Sequence, residues 1–157
     1  MRPRRRLNRR PCFAMAMLIL LLGSSKPVMP QSGTATLRVR VTGVRNHKGR
    51  IALALFQSEA GFPGDSSKAV RLQQAEIDAR TQSAQFVLEE VPYGVYAASV
   101  FHDENLNGRL DKNLVGQPKE GYGASNNPRK RMGPPPFREA CFRLDQPELS
   151  MEIKLIY

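Results

Sequence analysis

The sequence predicts an all-β fold: an antiparallel sandwich of two sheets and about seven strands, of immunoglobulin-like or prealbumin-like type. Three observations lead there. Apolar residues recur with period two, and no segment sustains helical spacing. Turn residues (Gly, Pro, Asn, Asp, Ser) punctuate these runs at short intervals. The 157 residues, 41% of them hydrophobic, are enough for one domain with a packed core.

Taken in order, residues 34–44 (TATLRVRVTGV) alternate Leu37, Val39 and Val41 with Arg38, Arg40 and Thr42, the pattern of a half-buried strand. Asn46 to Gly49 supply turn residues and Arg50 to Phe56 (RIALALF) a second strand, so the two read as a hairpin. Residues 58–69, rich in Gly, Pro and Ser, read as a loop. Two further strands are expected at 70–78 and 81–90, joined by a short turn near Ala79. The tight turn VPYG then leads into residues 95–102 (VYAASVFH), small and apolar on both faces and therefore central. The last two strands are 138–145 (REACFRLD) and 148–157 (ELSMEIKLIY); in the latter, Leu149, Met151, Ile153 and Leu155 face inward.

The chain begins differently. Seven basic residues and no acidic one precede Gln31, so the formal charge of +10 falls to about +3 over the remainder, and a nucleic-acid partner is not implied. A basic start (MRPRRRLNRR), an apolar run from Cys12 to Leu22 and the small residues Gly23, Ser24 and Ser25 form an export signal over 1–25, followed by a linker over 26–33 and the domain over 34–157. The apolar run is shorter than the roughly 20 residues that span a bilayer, so the mature chain is expected to have no transmembrane segment. Cleavage removes Cys12 and leaves Cys141, which cannot form an internal disulfide. A periplasmic or secreted monomer held by its core is the expectation.

Residues 103–136 interrupt the rhythm, being far longer than the usual connection of about 4–6 residues. Something must satisfy the backbone of so long a loop, and calcium would do so. With Asp103 as position 1, Asn105 stands at 3, Asn107 at 5, Gly108 at 6, Arg109 at 7 and Asp111 at 9. Side-chain oxygens at 1, 3 and 5 converge, Gly permits the bend, and the carbonyl at 7 faces inward whatever its side chain. Leu114 replaces the usual Glu at 12, so Asp111 must close the shell, as in D-x-D-x-D-G-x-x-D loops of some extracellular β proteins, which this resembles. The other reading of the same residues is an Asx-rich turn held by its own hydrogen bonds.

The run VPYGVYAASVFHDENLNGRLDKNLVGQPKEGYGASNNP, followed by GPPPFREACFRL, resembles a bacterial family of exported proteins catalogued as domain of unknown function 2141. Its shared features are a P-x-G-x-Y turn, a V-x-H-D-x-N-x-N-G-x-x-D loop, a G-x-P-x-E-G-Y/F-G-x-S-N segment and a G-P-P-x-F-x-x-A-x-F stretch. The resemblance implies an exported β-sandwich and carries no established activity.

Glu120, Tyr122, Ser125, Asn126 and Asn127 offer carboxylate, aromatic and amide groups that suit a sugar or peptide surface; alternatively Gly121 and Gly123 shape the return path while Tyr122 packs on the sandwich. Arg129, Lys130 and Arg131 form a basic triplet that suits acidic envelope polysaccharide or lipid phosphates, or else a solvated loop. No nucleophile elbow or Cys-His pair occurs, and Glu89 and Glu90, adjacent in a strand, should point to opposite faces. The expectation is a non-enzymatic exported module with an envelope or extracellular partner and a calcium-stabilised loop. The alternative is a saccharide- or small-molecule-processing protein that uses His102, Glu120 and Tyr122.

Overall fold

The computed structural model describes residues 33–128 and 133–157. The segment expected to be an export signal, all of the expected linker but Gly33, and the Arg129 to Arg131 triplet lie outside the described residues. The described residues form eight strands: Thr34–Thr42 (β1), Arg50–Phe56 (β2), Arg71–Ala75 (β3), Ala84–Pro92 (β4), Gly94–Asp103 (β5), Tyr122–Ala124 (β6), Phe142–Leu144 (β7) and Glu148–Lys154 (β8). A turn of 3-10 helix spans Ser66–Lys68, and a four-residue helix, α1, spans Phe137–Ala140. The all-β sandwich expected from the period-two pattern is present, as a three-stranded sheet ordered β4-β1-β8 and a five-stranded sheet ordered β3-β2-β5-β6 with β7 also on β5.

The core lies between the sheets. Leu37, Val39 and Val41 of β1 face Ile51, Leu53 and Leu55 of β2, Phe86 and Leu88 of β4, Tyr96, Ala98 and Val100 of β5, and Ile153 of β8, all at most 5% exposed. The residues between them along β1 are Arg38 and Arg40, which stay in water; burying them unpaired would cost far more than the period-two alternative. β5 is buried on its second face too. There Ala97 packs with Ala124 and Ala140, and Phe62 and Phe137 close over them in edge-to-face contact at 5.7 Å. A strand covered on both sides must be small and apolar throughout, which is why residues 95–102 read as central.

Four expectations require correction. The 34–56 hairpin does not form: β1 pairs with β4 and β8, whereas β2 pairs with β3 and β5. Residues 43–49 instead carry the chain from one sheet to the other, long enough to cross the core, with Gly43 and Gly49 at φ +75° and +66° making the bends. The sheets are not wholly antiparallel, because β8 runs parallel to β1, from Thr36 opposite Glu148 to Thr42 opposite Lys154. The expected strand at 138–145 is shortened: its first three residues belong to α1, which Pro136 caps and which places Ala140 against Ala97, and only Phe142–Leu144 pairs with the start of β5. Finally, Glu89 and Glu90 do not alternate. Glu90 has φ +55° next to a register shift between Ala35 and Leu37, and this bulge leaves both carboxylates exposed between buried Leu88 and Val91.

Candidate functional site: the loop after β5

β5 ends at Asp103, and its register against β2 places His102 opposite Ile51 and Asp103 opposite Arg50. Asp103 is 1% exposed. Its carboxylate accepts from the N–H groups of Asn107 (3.0 Å) and Gly108 (2.8 Å), folding residues 103–108 into a tight turn in which Leu106 and Gly108 take positive φ. Two nested Asx turns continue the coil: Asn105 Oδ1 accepts from the Asn107 N–H, and Asn107 Oδ1 from the Arg109 N–H. The amide nitrogens of the same two side chains donate to Asp111, Asn105 to Oδ2 at 2.8 Å and Asn107 to Oδ1 at 2.9 Å. Asn105, Asn107 and Asp111 are thus joined through their side chains, and Asp103 and Arg109 join the coil through backbone N–H groups, with the Arg109 side chain exposed.

Glu120 holds the far end. It is 4% exposed, and its oxygens accept from the Glu104 N–H and the Asp111 N–H, both at 2.9 Å, so one carboxylate ties together residues separated by the whole coil. The Lys119 N–H completes the closure on the Asp111 carbonyl. Among the described residues, neither Asp103 nor Glu120 has an ion-pair partner, and each is satisfied by backbone N–H groups. Glu104 differs: it accepts from Arg45 Nε at 2.7 Å and Asn46 Nδ2 at 3.2 Å.

Beneath the loop lies a polar network. His102 is wholly buried, with Nε2 2.6 Å from the Lys48 carbonyl and Nδ1 2.8 Å from the Tyr157 hydroxyl. A carbonyl only accepts, so Nε2 carries a proton, and in the neutral ring Nδ1 accepts from Tyr157. That hydroxyl also accepts from the Arg45 N–H, and the Arg45 guanidinium lies 4.5 Å over the tyrosine ring. Burial raises the Tyr157 pKa above its ordinary value, with the Arg45 N–H working in the opposite direction. Both His102 nitrogens are thus engaged within the fold. Among the described residues, no three His, Cys, Asp or Glu side chains converge on one point; the oxygens at the loop are mixed carboxylate and amide.

The other residues singled out in the sequence are joints of the fold. Tyr122 starts β6, exchanging backbone hydrogen bonds with Ile156. Ser125 is fully buried, donating to the Ala140 carbonyl at 2.6 Å and accepting from the Ala98 N–H at 2.9 Å. Asn126 donates to the Cys141 carbonyl. Asn127 accepts from the Lys154 N–H at 2.7 Å and donates to the Glu152 carbonyl at 2.9 Å, pairing with the outer side of β8 as a short strand would. Gly121 and Gly123 shape the return path: a Cβ would fall 2.4 Å from the Tyr157 ring at the first and 2.9 Å from Ile153 and the Lys154 carbonyl at the second. Cys141 is a half-buried free thiol whose neighbour is the Arg138 carbonyl.

The model of a bacterial family described as uncharacterized protein conserved in bacteria, DUF2141, matches residues 39–152. The chain belongs to this family. The matched span runs from within β1 to within β8 and includes the whole Asp103–Glu120 coil. Comparison with curated proteins and with solved structures brings no match. Among the described residues, no helix is long and apolar enough to cross a membrane.

Proposed function

We propose that this protein is an exported, non-enzymatic β-sandwich module whose Asp103–Asp111 coil takes a calcium ion and so stiffens a surface that meets an envelope or extracellular partner. One observation carries the metal reading. Two carboxylates in one loop, Asp103 and Glu120, are at most 4% exposed with backbone partners only, and buried negative charge without a counter-ion favours capture of a cation. Asp103, Asp111 and the amide oxygens of Asn105 and Asn107 form an all-oxygen donor set, which suits calcium rather than zinc. On binding, Asp111 would exchange its two amide donors for the ion. With two Asn in place of Asp, the affinity belongs near the extracellular range of about 10⁻⁴ to 10⁻³ M. Export rests on the N-terminal charge and apolar pattern, with cleavage after Ser25.

A ligand held only by the folded state raises stability by about 1.4 kcal/mol at ten times Kd. Millimolar calcium should therefore raise the melting temperature by a few degrees, magnesium less, and Asp111→Ala should remove the response. Titration calorimetry on metal-stripped protein tests the same point. No heat and no thermal shift up to about 10 mM calcium would leave the loop an Asx-held turn and sink the reading.

A further inference from the structure

Past the calcium coil, the loop makes a second turn that the fold does not use. Asn113 organises it: its side-chain oxygen accepts from the Val115 and Gln117 N–H groups at 3.1 and 2.9 Å, its carbonyl accepts from Gly116, and its own N–H donates to the Gln117 carbonyl. Lys112 and Pro118 bridge the base. Leu114 and Val115 stand at the apex, 107% and 78% exposed, in contact with no part of the core. With the N–H groups of Asn113, Val115, Gly116 and Gln117 bonded inside the turn, most of its backbone can leave water without losing a partner.

Charge is sorted around this tip. The flanking Arg109, Lys112 and Lys119 are all exposed. The acidic residues of the same loop are withdrawn: Asp103 and Glu120 are buried, Glu104 is paired with Arg45, and both Asp111 oxygens are covered by asparagine amides. The loop contains nearly balanced charge and displays mainly cations. A two-residue convex tip is far too small for a stable protein interface, which buries about 800 Å² per partner, whereas a bilayer interface accepts a small apolar tip ringed by cations. We propose that the Lys112–Lys119 turn docks on anionic phospholipid bilayers, inserting Leu114 and Val115 at the boundary between headgroups and acyl chains while Arg109, Lys112 and Lys119 meet lipid phosphate.

The chain contains no Trp, so Leu114→Trp places a single local reporter at a fully exposed position. The mature chain from Lys26 onward carrying it is titrated in chelator with vesicles of phosphatidylcholine alone or mixed with phosphatidylglycerol, which keeps the result independent of calcium and of the basic, apolar N-terminal segment. The expected result is a blue shift and quenching by brominated acyl chains with the anionic vesicles only. Adding Lys112→Gln and Lys119→Gln should weaken apparent partitioning at least about tenfold. Unchanged indole emission with anionic vesicles would overturn the proposal, and binding of the chain without that shift would assign membrane contact to another segment. So would a shift that grows with protein concentration without lipid, since that marks a second copy as the occupant.

Discussion

Gly49 shows how closely single residues set the loop. It lies at φ +66°, and a Cβ there would come within 1.9 Å of the Asp103 carbonyl oxygen. That contact is with backbone, which cannot step aside as a flexible side chain would. Gly49→Ala should therefore cost roughly 2–4 kcal/mol, read as a lower urea midpoint with unchanged slope. Glu120 is a second such residue. Glu120→Gln puts an NH₂ group against either the Glu104 or the Asp111 N–H, both of which need an acceptor. The expected loss is about 1–3 kcal/mol, together with faster amide exchange at 104 and 111; unchanged exchange there would mean that the carboxylate does not hold the coil.

At the scale of elements, the free edges explain the asparagines after β6. β8 has β1 on one side only, and an unpaired edge invites another chain. The Asn127 side chain occupies that edge at Lys154 and Glu152. Asn126 and Asn127 both take positive φ, at 63° and 46°, which asparagine tolerates better than most residues. Asn127→Ala should destabilise by about 1–2 kcal/mol, and hydrogen exchange should report the change at the end of β8 first. Equal exchange in variant and wild type would remove this role.

For the whole molecule, three groups with displaced pKa values tie stability to pH. The Ser67 hydroxyl and N–H hold Asp65 below the ordinary carboxylate value of 3.8, and the Arg80 N–H does the same for Asp78. Groups with depressed folded values contribute stability above the unfolded value that is lost as pH falls through the folded one, so their contribution fades below about pH 4. Tyr157 has a raised value, so its hydrogen-bonded neutral form contributes fully below pH 10.0 and is lost as pH rises through the folded value. Through these groups, melting temperature should fall as pH drops below about 4 and as it rises above about 10. Tyr157→Phe should lower stability near neutral pH by about 1–3 kcal/mol for the lost hydroxyl bonds, and flatten the alkaline limb; an unaltered limb would show that another group controls it.

Most strand positions, the central place of residues 95–102 and the Asx turns of residues 103–109 were legible because each depends on near neighbours. Period two follows from alternation along one strand, and the coil follows from side chains reaching backbone two to five residues on. Which strands pair was not legible. β1 and β2 each present one apolar face, and that pattern is equally content in either sheet, so only the packed core decides that residues 43–49 cross rather than turn back. The same limit hid the His102–Tyr157–Arg45 cluster, whose members lie 55 and 57 residues from His102 along the chain, and the role of Glu120, whose partners are backbone groups. Sequence pattern records what a residue does beside its neighbours, whereas the partner of a buried polar group is chosen by the approach of distant segments, which only the tertiary structure decides.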